Sequence, residues 1–298
     1  MKSYARSFSR QQVSLLFMLS PTSVFLAIFF VIPLLIILTY SFLEPGLYGG
    51  VEWTFYHWNY GRILGWADGF YEEFDIVYLD ILLRSIGLAL ATVVCTLVVC
   101  YPVAFWVSQL SAKMKSCFIL LITLPFFSSM IVRLYAWMLI LRDSGFANQF
   151  LEWVGIIHQP LSLMYSNVAV IIGMVYIFIP FMFLPLYSSV EKLDSRLIQA
   201  SQDLGAAPWK TFCKVVFPMT LPGIMAGSIL VFIPSLGNFV IPDLFGGAKV
   251  LMIGNMVEQQ FLYARNWPFG AALSMVLTLL MLILLSVFFY RVNKTRSA

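Results

Sequence analysis

A chain of 298 residues that is 61% hydrophobic and 11% charged, with a mean hydropathy of +0.89, is excluded from the class of water-soluble globular domains and belongs in a bilayer. Its formal net charge of +4 is modest, and no nucleic-acid partner is expected.

Residues 11–43 contain no Asp, Glu, Lys or Arg, and about 20 apolar residues suffice to cross the roughly 30 Å hydrocarbon layer. That run is too long for a signal-peptide core and no small-x-small cleavage pattern follows it, so it is expected to be a retained anchor. The segment from Glu44 to Asp80 is rich in aromatics (Trp53, Phe55, Tyr56, Trp58, Tyr60, Trp66, Phe70 and Tyr71), which suits anchoring at a membrane interface. Further apolar runs follow at Leu82–Ser108, Ser116–Leu141, Asn167–Ser189, Thr220–Val240 and Ala271–Tyr290, giving six expected spans. They lack the alternation of barrel strands, and lipid offers no hydrogen bonds to an open backbone, so all six must be helices. Pro21, Pro33, Pro102, Pro125, Pro180, Pro185 and Pro234 within them predict kinks rather than breaks. Gly223 and Gly227 form a G-x-x-x-G pair at the start of the fifth span, for which close helix contact is the plain reading and a gating hinge the bolder one.

Basic residues set the orientation, since cytoplasmic flanks collect them. Twelve of the eighteen (Lys2, Arg6, Arg10, Lys113, Lys115, Lys192, Arg196, Lys210, Lys214, Arg291, Lys294 and Arg296) fall on the side that holds both termini; that side is expected to be cytoplasmic. The acids skew the other way, with eleven of fourteen outside, among them Asp68, Glu72, Glu73, Asp243 and Glu258. This skew either attracts cations or merely fills the side from which Lys and Arg are excluded.

Several chemistries lack their residues. Cys95, Cys100, Cys117 and Cys213 do not form a zinc pattern, His57 and His158 lie in separate segments, and neither a metal site nor a disulfide is expected. There is no G-x-x-x-x-G-K-S/T loop and no G-x-S-x-G or H-E-x-x-H pattern, so any ATP must be hydrolysed by another chain, and no cofactor is implied. Arg133 is the one charge deep within a span, expected to be an ion-pair partner in the bundle or to snorkel to the outer interface.

The polar segment Glu191–Phe217, EKLDSRLIQASQDLGAAPWKTFCKVVF, reads as a helix-turn-helix knob. Asp194 or Ser195 can cap a first helix carrying Leu197, Ile198 and Leu204. Gly205 suits a left-handed terminus, and Pro208 fits the first turn of a second helix running to Pro218. A short connection would have joined the two spans equally well, so the knob is expected to contact a partner.

Within that knob Gln199-Ala200-Ser201, three residues, Gly205, nine residues and Val215-Val216-Phe217-Pro218 resemble the E-A-A, three, G, nine, I-x-L-P loop of binding-protein-dependent importer permeases. The spacing is kept in full; Gln199, Ser201 and Phe217 depart from the strict pattern. The stretches LPFFSSMIVRLYAWMLILRDSGFAN (124–148), VFIPSLGNFVIPDLFGG (231–247) and NWPFGAAL (266–273) are similar to segments of spermidine/putrescine-type polyamine permeases, closest to the first of the two permease subunits in such systems.

The resemblance implies an all-α polytopic membrane protein with the type I ABC importer permease fold. Its parts would be a cytoplasmic N-terminus (1–13), a six-span permease region (14–290) with a coupling loop at 191–218, and a cytoplasmic C-terminus (291–298), in a bacterial inner membrane. The implied partners are a second permease subunit in a heterodimer, a cytoplasmic ATPase dimer and a periplasmic substrate-binding protein. Gln199, Ala200, Ser201, Gly205, Val215, Phe217 and Pro218 would meet the ATPase. Gln199 loses the charge assistance of the family's acid at that contact. A polycation needs aromatic faces and carboxylates along its path, for which Tyr135, Trp137, Tyr176, Phe239 and Asp243 are the candidates. A permease for another small solute or metal ion, an ATP-independent carrier and a scaffold that moves nothing are the alternatives.

Overall fold

The computed structural model describes residues 10–66 and 74–296. Lys2, Arg6, Asp68, Phe70, Tyr71, Glu72 and Glu73, used above for orientation and anchoring, lie outside the described residues. Among the described residues, five helices are long and apolar enough to cross a membrane: Phe17–Ser41, Val77–Ser108, Asn167–Glu191, Pro208–Leu236 and Trp267–Tyr290.

The expected third span, Ser116–Leu141, is not one helix. Ala112–Phe127 and Met130–Trp153 meet at 96°, so the chain crosses six times only if this bent pair acts as one span. The break traces to Pro125. It lies in a 3-10 turn, Leu124–Phe127, after which Ser128 is extended (φ −98, ψ 154). The Ser128 hydroxyl and amide both donate to the Pro125 carbonyl, at 2.8 and 3.1 Å, and these bonds fix the corner in place of helical ones. Pro21, Pro102, Pro180, Pro185 and Pro234 each lie inside a continuing helix and break none of them.

Two prolines change the helical register instead. Residues Ala27–Val31 and Phe212–Val216 are π-helical, and Pro33 and Pro218 stand two residues beyond them. A proline ring collides with the carbonyl four residues back and offers no N–H, so the ladder slips by one. The Phe217 amide accordingly donates to the Phe212 carbonyl, five residues back. The second helix of the knob therefore does not end at Pro218. It begins at Pro208 and runs through the π segment into the fifth span, to Leu236.

The second, fourth and fifth spans form the core of the bundle. Met174, Met182, Phe183, Leu186 and Val231 are fully or almost fully buried between them. The glycine pair explains how closely two of these helices approach. A Cβ on Gly223 would collide with Ser189 and the Pro185 carbonyl, and one on Gly227 would lie 2.7 Å from the Met182 sulfur. The first span is different: none of its most apolar window is buried, and its main contact with the last helix is made by Ile32–Ser41.

At the end of the bundle opposite the knob, a small antiparallel hairpin, Leu43–Pro45 with Val51–Phe55, interrupts the helical fold. Gly49 and Gly50 take its turn at φ 91 and 86, conformations that only glycine enters freely. The Gly50 amide donates to the Arg265 carbonyl at 3.1 Å. Asn59 donates to the carbonyls of Ser41 and Leu43, at 3.1 and 2.9 Å, and Tyr60 donates to the Ser41 hydroxyl at 2.7 Å. A second apolar cluster built on Ile63, Ile81, Ile253, Met256, Phe269 and Leu273 packs beneath it.

Gly223→Val and Gly227→Val should each destabilise the bundle by about 1–3 kcal/mol through overpacking, seen as a lower unfolding temperature in detergent. Gly87→Val, where a side chain would meet nothing within 4 Å, should leave the midpoint unchanged apart from its propensity cost.

Candidate functional site

The knob is an elbow whose first arm is Ser195–Asp203. The Asp194 carboxylate accepts the Arg196 amide at 2.9 Å, which satisfies one of the free donors of the first turn. At the other end Gly205 holds φ 79. Its amide donates to the Gln202 carbonyl at 2.8 Å, and that of Ala206 to the Ser201 carbonyl at 3.1 Å. This is the paired closure of a Schellman stop, and it needs a left-handed residue at this position. Pro208 opens the second arm from an extended Ala207. A side-chain bond staples the arms together: the Ser201 and Thr211 hydroxyls lie 3.0 Å apart, with Thr211 buried.

Gln199 and Ala200 are exposed on the first arm, Ser201 faces the crease and Gly205 forms the tip. Val215, Phe217 and Pro218 lie apart from these, where the second arm turns into the fifth span. Sequence reasoning missed the feature that gives the elbow a face. Leu204 is 89% exposed and Trp209 73% exposed, with Trp209 stacked on Phe212 at 5.7 Å. Two large apolar side chains held in water beside a polar helix form the kind of surface that partners cover.

The five expected pathway residues fall into three places. Trp137 and Tyr176 meet, their rings 5.4 Å apart, and Trp137 packs against the core. Tyr135, on the same helix as Trp137, is 53% exposed and looks instead into a cleft of about 710 Å³ that it shares with Arg142, Asp143, Tyr165 and Lys249. Two cations on that lining make it a poor seat for a polycation. Phe239 and Asp243 form the third group, at the hairpin end of the fifth span: the Asp243 amide donates to the Phe239 carbonyl at 3.0 Å, and Asn255 donates to the same carbonyl at 3.0 Å.

Asp243 is exposed on the turn Pro242–Gly246, and the fold brings Glu258 of the helix Ile253–Leu262 into its field. Burial pushes the Glu258 carboxyl above the usual carboxylate range, and the negative charge of Asp243 pushes it further the same way. A negative charge that raises the proton affinity of a neighbouring carboxyl favours a bound cation for the same reason. Glu258 was not among the expected site residues, because fifteen positions separate it from Asp243 and no motif joins them.

Arg133 does not find the ion-pair partner that was one of its two expected roles. Among the described residues it makes no ion pair; its guanidinium carbon lies 6.0 Å from the Phe126 ring and 5.9 Å from that of Tyr176, within the range of cation–π attraction. Its Nε is buried without a hydrogen-bond partner.

Residues 114–297 match the family of binding-protein-dependent transport system inner membrane components. The chain is 41% identical over 263 residues to the spermidine/putrescine transport system permease protein PotB of Escherichia coli (strain K12), covering 88% of this chain and 92% of that one. It is 43% identical over 222 residues to PotB of Haemophilus influenzae, covering 74% and 77%. It is also similar to the molybdenum transport system permease protein ModB of the same organism, at 29% over 182 residues, covering 59% and 74%. In structure it resembles a chain of a bacterial ABC transporter that imports the acidic polysaccharide alginate, with a TM-score of 0.68 at 15% identity over 96% of both chains. A chain of an alginate transporter in complex with its alginate pentasaccharide-bound periplasmic protein gives a TM-score of 0.71 at 14% identity, covering 94% and 93%. These last two likenesses concern the fold.

Gly205→Ala should loosen the elbow, because a side chain in the left-handed region costs about 1–2 kcal/mol. Hydrogen exchange at the amides of residues 205 and 206 should speed up roughly 5- to 30-fold, while exchange in the fourth span stays as it was.

Proposed function

The chain belongs to the family of binding-protein-dependent transport system inner membrane components, and on that premise we propose that it carries polyamines of the spermidine and putrescine class inward. It is a transport permease rather than an enzyme. The observation that carries the substrate class is the 41% identity over 88% of the chain to the E. coli spermidine/putrescine permease. The acidic pair of Asp243 and Glu258, with Phe239 beside it, supports the same choice: two carboxylates and an aromatic face are what a flexible polycation needs in order to leave water.

The elbow end faces the cytoplasm in this reading, as the distribution of Lys and Arg requires, and both termini lie on that side. A separate ATPase dimer grips the elbow through Gln199, Ala200, Ser201 and the exposed Leu204 and Trp209. A periplasmic binding protein delivers the solute at the hairpin end. A second permease subunit completes the pathway; the uncovered first span supports such a neighbour. ATP binding closes the ATPase dimer, the elbows move with it, and the two permeases switch access from one side to the other. Trp137, Tyr176 and Tyr135 are placed along that route, although Trp137 and Tyr176 pack on each other and Tyr135 faces a cationic cleft.

Uptake of labelled spermidine and putrescine by cells that lack their own polyamine uptake, with and without this chain and its companion subunits, tests the assignment; no ATP-dependent accumulation of either would refute it. Ala200→Asp, which places a charge on the gripped face of the elbow, should reduce that uptake to background while the chain still inserts in the membrane. Asp243→Asn should raise the KM for the cation roughly fivefold, the factor for losing an exposed charge pair of about 1 kcal/mol. The pH dependence has a definite sign. Because its proton affinity is raised, Glu258 loses its charge at a higher pH than an ordinary carboxylate, so the parent's KM should rise as pH falls through the upper carboxylate range. Glu258→Gln should flatten that rise, and Asp243→Asn should move it to lower pH.

A further inference from the structure

Tyr101 joins the second span to the elbow. Tyr101 lies on the second span seven residues before its end at Ser108, half-buried, and touches the fifth-span helix in two ways. Its hydroxyl is 2.7 Å from that of Thr220, and its ring meets Phe212 edge-on at 5.3 Å. Thr220 is fully buried, and its single proton is directed to the carbonyls of Val216 and Phe217, at 3.0 and 3.1 Å. A hydroxyl has one proton to give, so Tyr101 is the donor of the bond between the helices.

What Tyr101 grips is the part of the fifth-span helix that is least regular. Phe212–Val216 is the π segment, where the slipped register leaves the backbone less uniformly bonded than in an α-helix, and such segments often coincide with moving parts. Phe212 opens that segment and stacks on Trp209 of the elbow's exposed face. A continuous chain of contacts therefore runs from Trp209 to Phe212 to Tyr101. Beside it lies an open depression of about 370 Å³ lined by Tyr101, Pro102, Phe105 and Phe212. The next residue of the second span, Pro102, breaks a rung of its own helix at the same level.

We propose that Tyr101 is a positioning residue that transmits displacement of the elbow to the second span, with the π segment as the compliant joint and the Tyr101–Thr220 hydrogen bond as the link across it. When the elbow moves, Phe212 shifts against the Tyr101 ring while the bond to Thr220, just past the joint, holds the two helices in step. Without that bond the elbow still moves with its motor, but the second span follows it less faithfully. The inference rests on the proposed function only in assuming that an ATPase pushes the elbow.

The test uses the complete reconstituted transporter, with its ATPase, second permease and binding protein, in proteoliposomes, and reads uptake and ATP hydrolysis together. Tyr101→Phe removes one oxygen and keeps the ring; Thr220→Val removes the acceptor at nearly constant volume. Each should lower uptake per ATP hydrolysed roughly fivefold, the factor carried by one ordinary hydrogen bond, with ATP hydrolysis maintained or raised. Thr220→Ser, which keeps the hydroxyl, should restore the ratio. A merely structural role would lower both rates in proportion and leave the ratio alone. An unchanged ratio in Tyr101→Phe and Thr220→Val, whether the separate rates fall or not, overturns the proposal. Failure of the functional reading is distinguishable, because then the parent complex itself would show no ATP-dependent uptake.

Discussion

A polypeptide in hydrocarbon has to satisfy its backbone polar groups from within, and this one requirement governs the architecture. It forces every long apolar run into a helix and makes each proline a local problem of bonding. The chain solves that problem in three ways. Pro180 and Pro185 sit inside the fourth span without ending it, packed among neighbours. Pro33 and Pro218 are followed back along the chain by π segments, in which the ladder slips instead of breaking. Pro125 ends its helix, and the Ser128 hydroxyl and amide both donate to the carbonyl of Pro125 itself at a corner.

The same requirement explains why the elbow stands out. Outside the hydrocarbon, water can serve unpaired groups, so the connection between the fourth and fifth spans had no need to be a rigid, capped pair of arms. It is nonetheless built with care at each joint: a carboxylate cap at Asp194, a left-handed stop at Gly205 and a hydroxyl staple between Ser201 and Thr211. Stiffness of this kind suits the lever proposed above. The second arm runs on through the π segment into the fifth span, and the glycine pair brings that span close against the fourth.

At the far end the design differs. The hairpin, the short helices and the second apolar cluster are tied to one another by side-chain to backbone bonds, as where Asn59 clasps Ser41 and Leu43 or the Ser85 hydroxyl accepts the Ile253 amide at 2.8 Å. These ties hold Glu258 within the field of Asp243. Two long helices, Val77–Ser108 and Trp267–Arg296, begin in this region and contribute Ile81, Phe269 and Leu273 to its cluster.

Apolar runs and turn chemistry were enough to place five of the spans, the elbow, its cap and its left-handed stop, because each depends on residues within a few positions of one another and on the dielectric of the medium. The resemblance at Gln199–Pro218 likewise depended on local spacing. What tertiary structure alone decided were features set by distant partners. Pro125 breaks a helix while Pro102 does not, according to what neighbours and side chains can do for the freed groups. Arg133 lies between the Phe126 and Tyr176 rings instead of beside an acid. Glu258 approaches Asp243 because two short segments pack together, and Tyr101 reaches Thr220 across 119 positions of sequence. A periodic pattern determines which faces are apolar. It does not determine which faces meet, since packing in lipid is chosen by shape and by the few polar groups that must find one another.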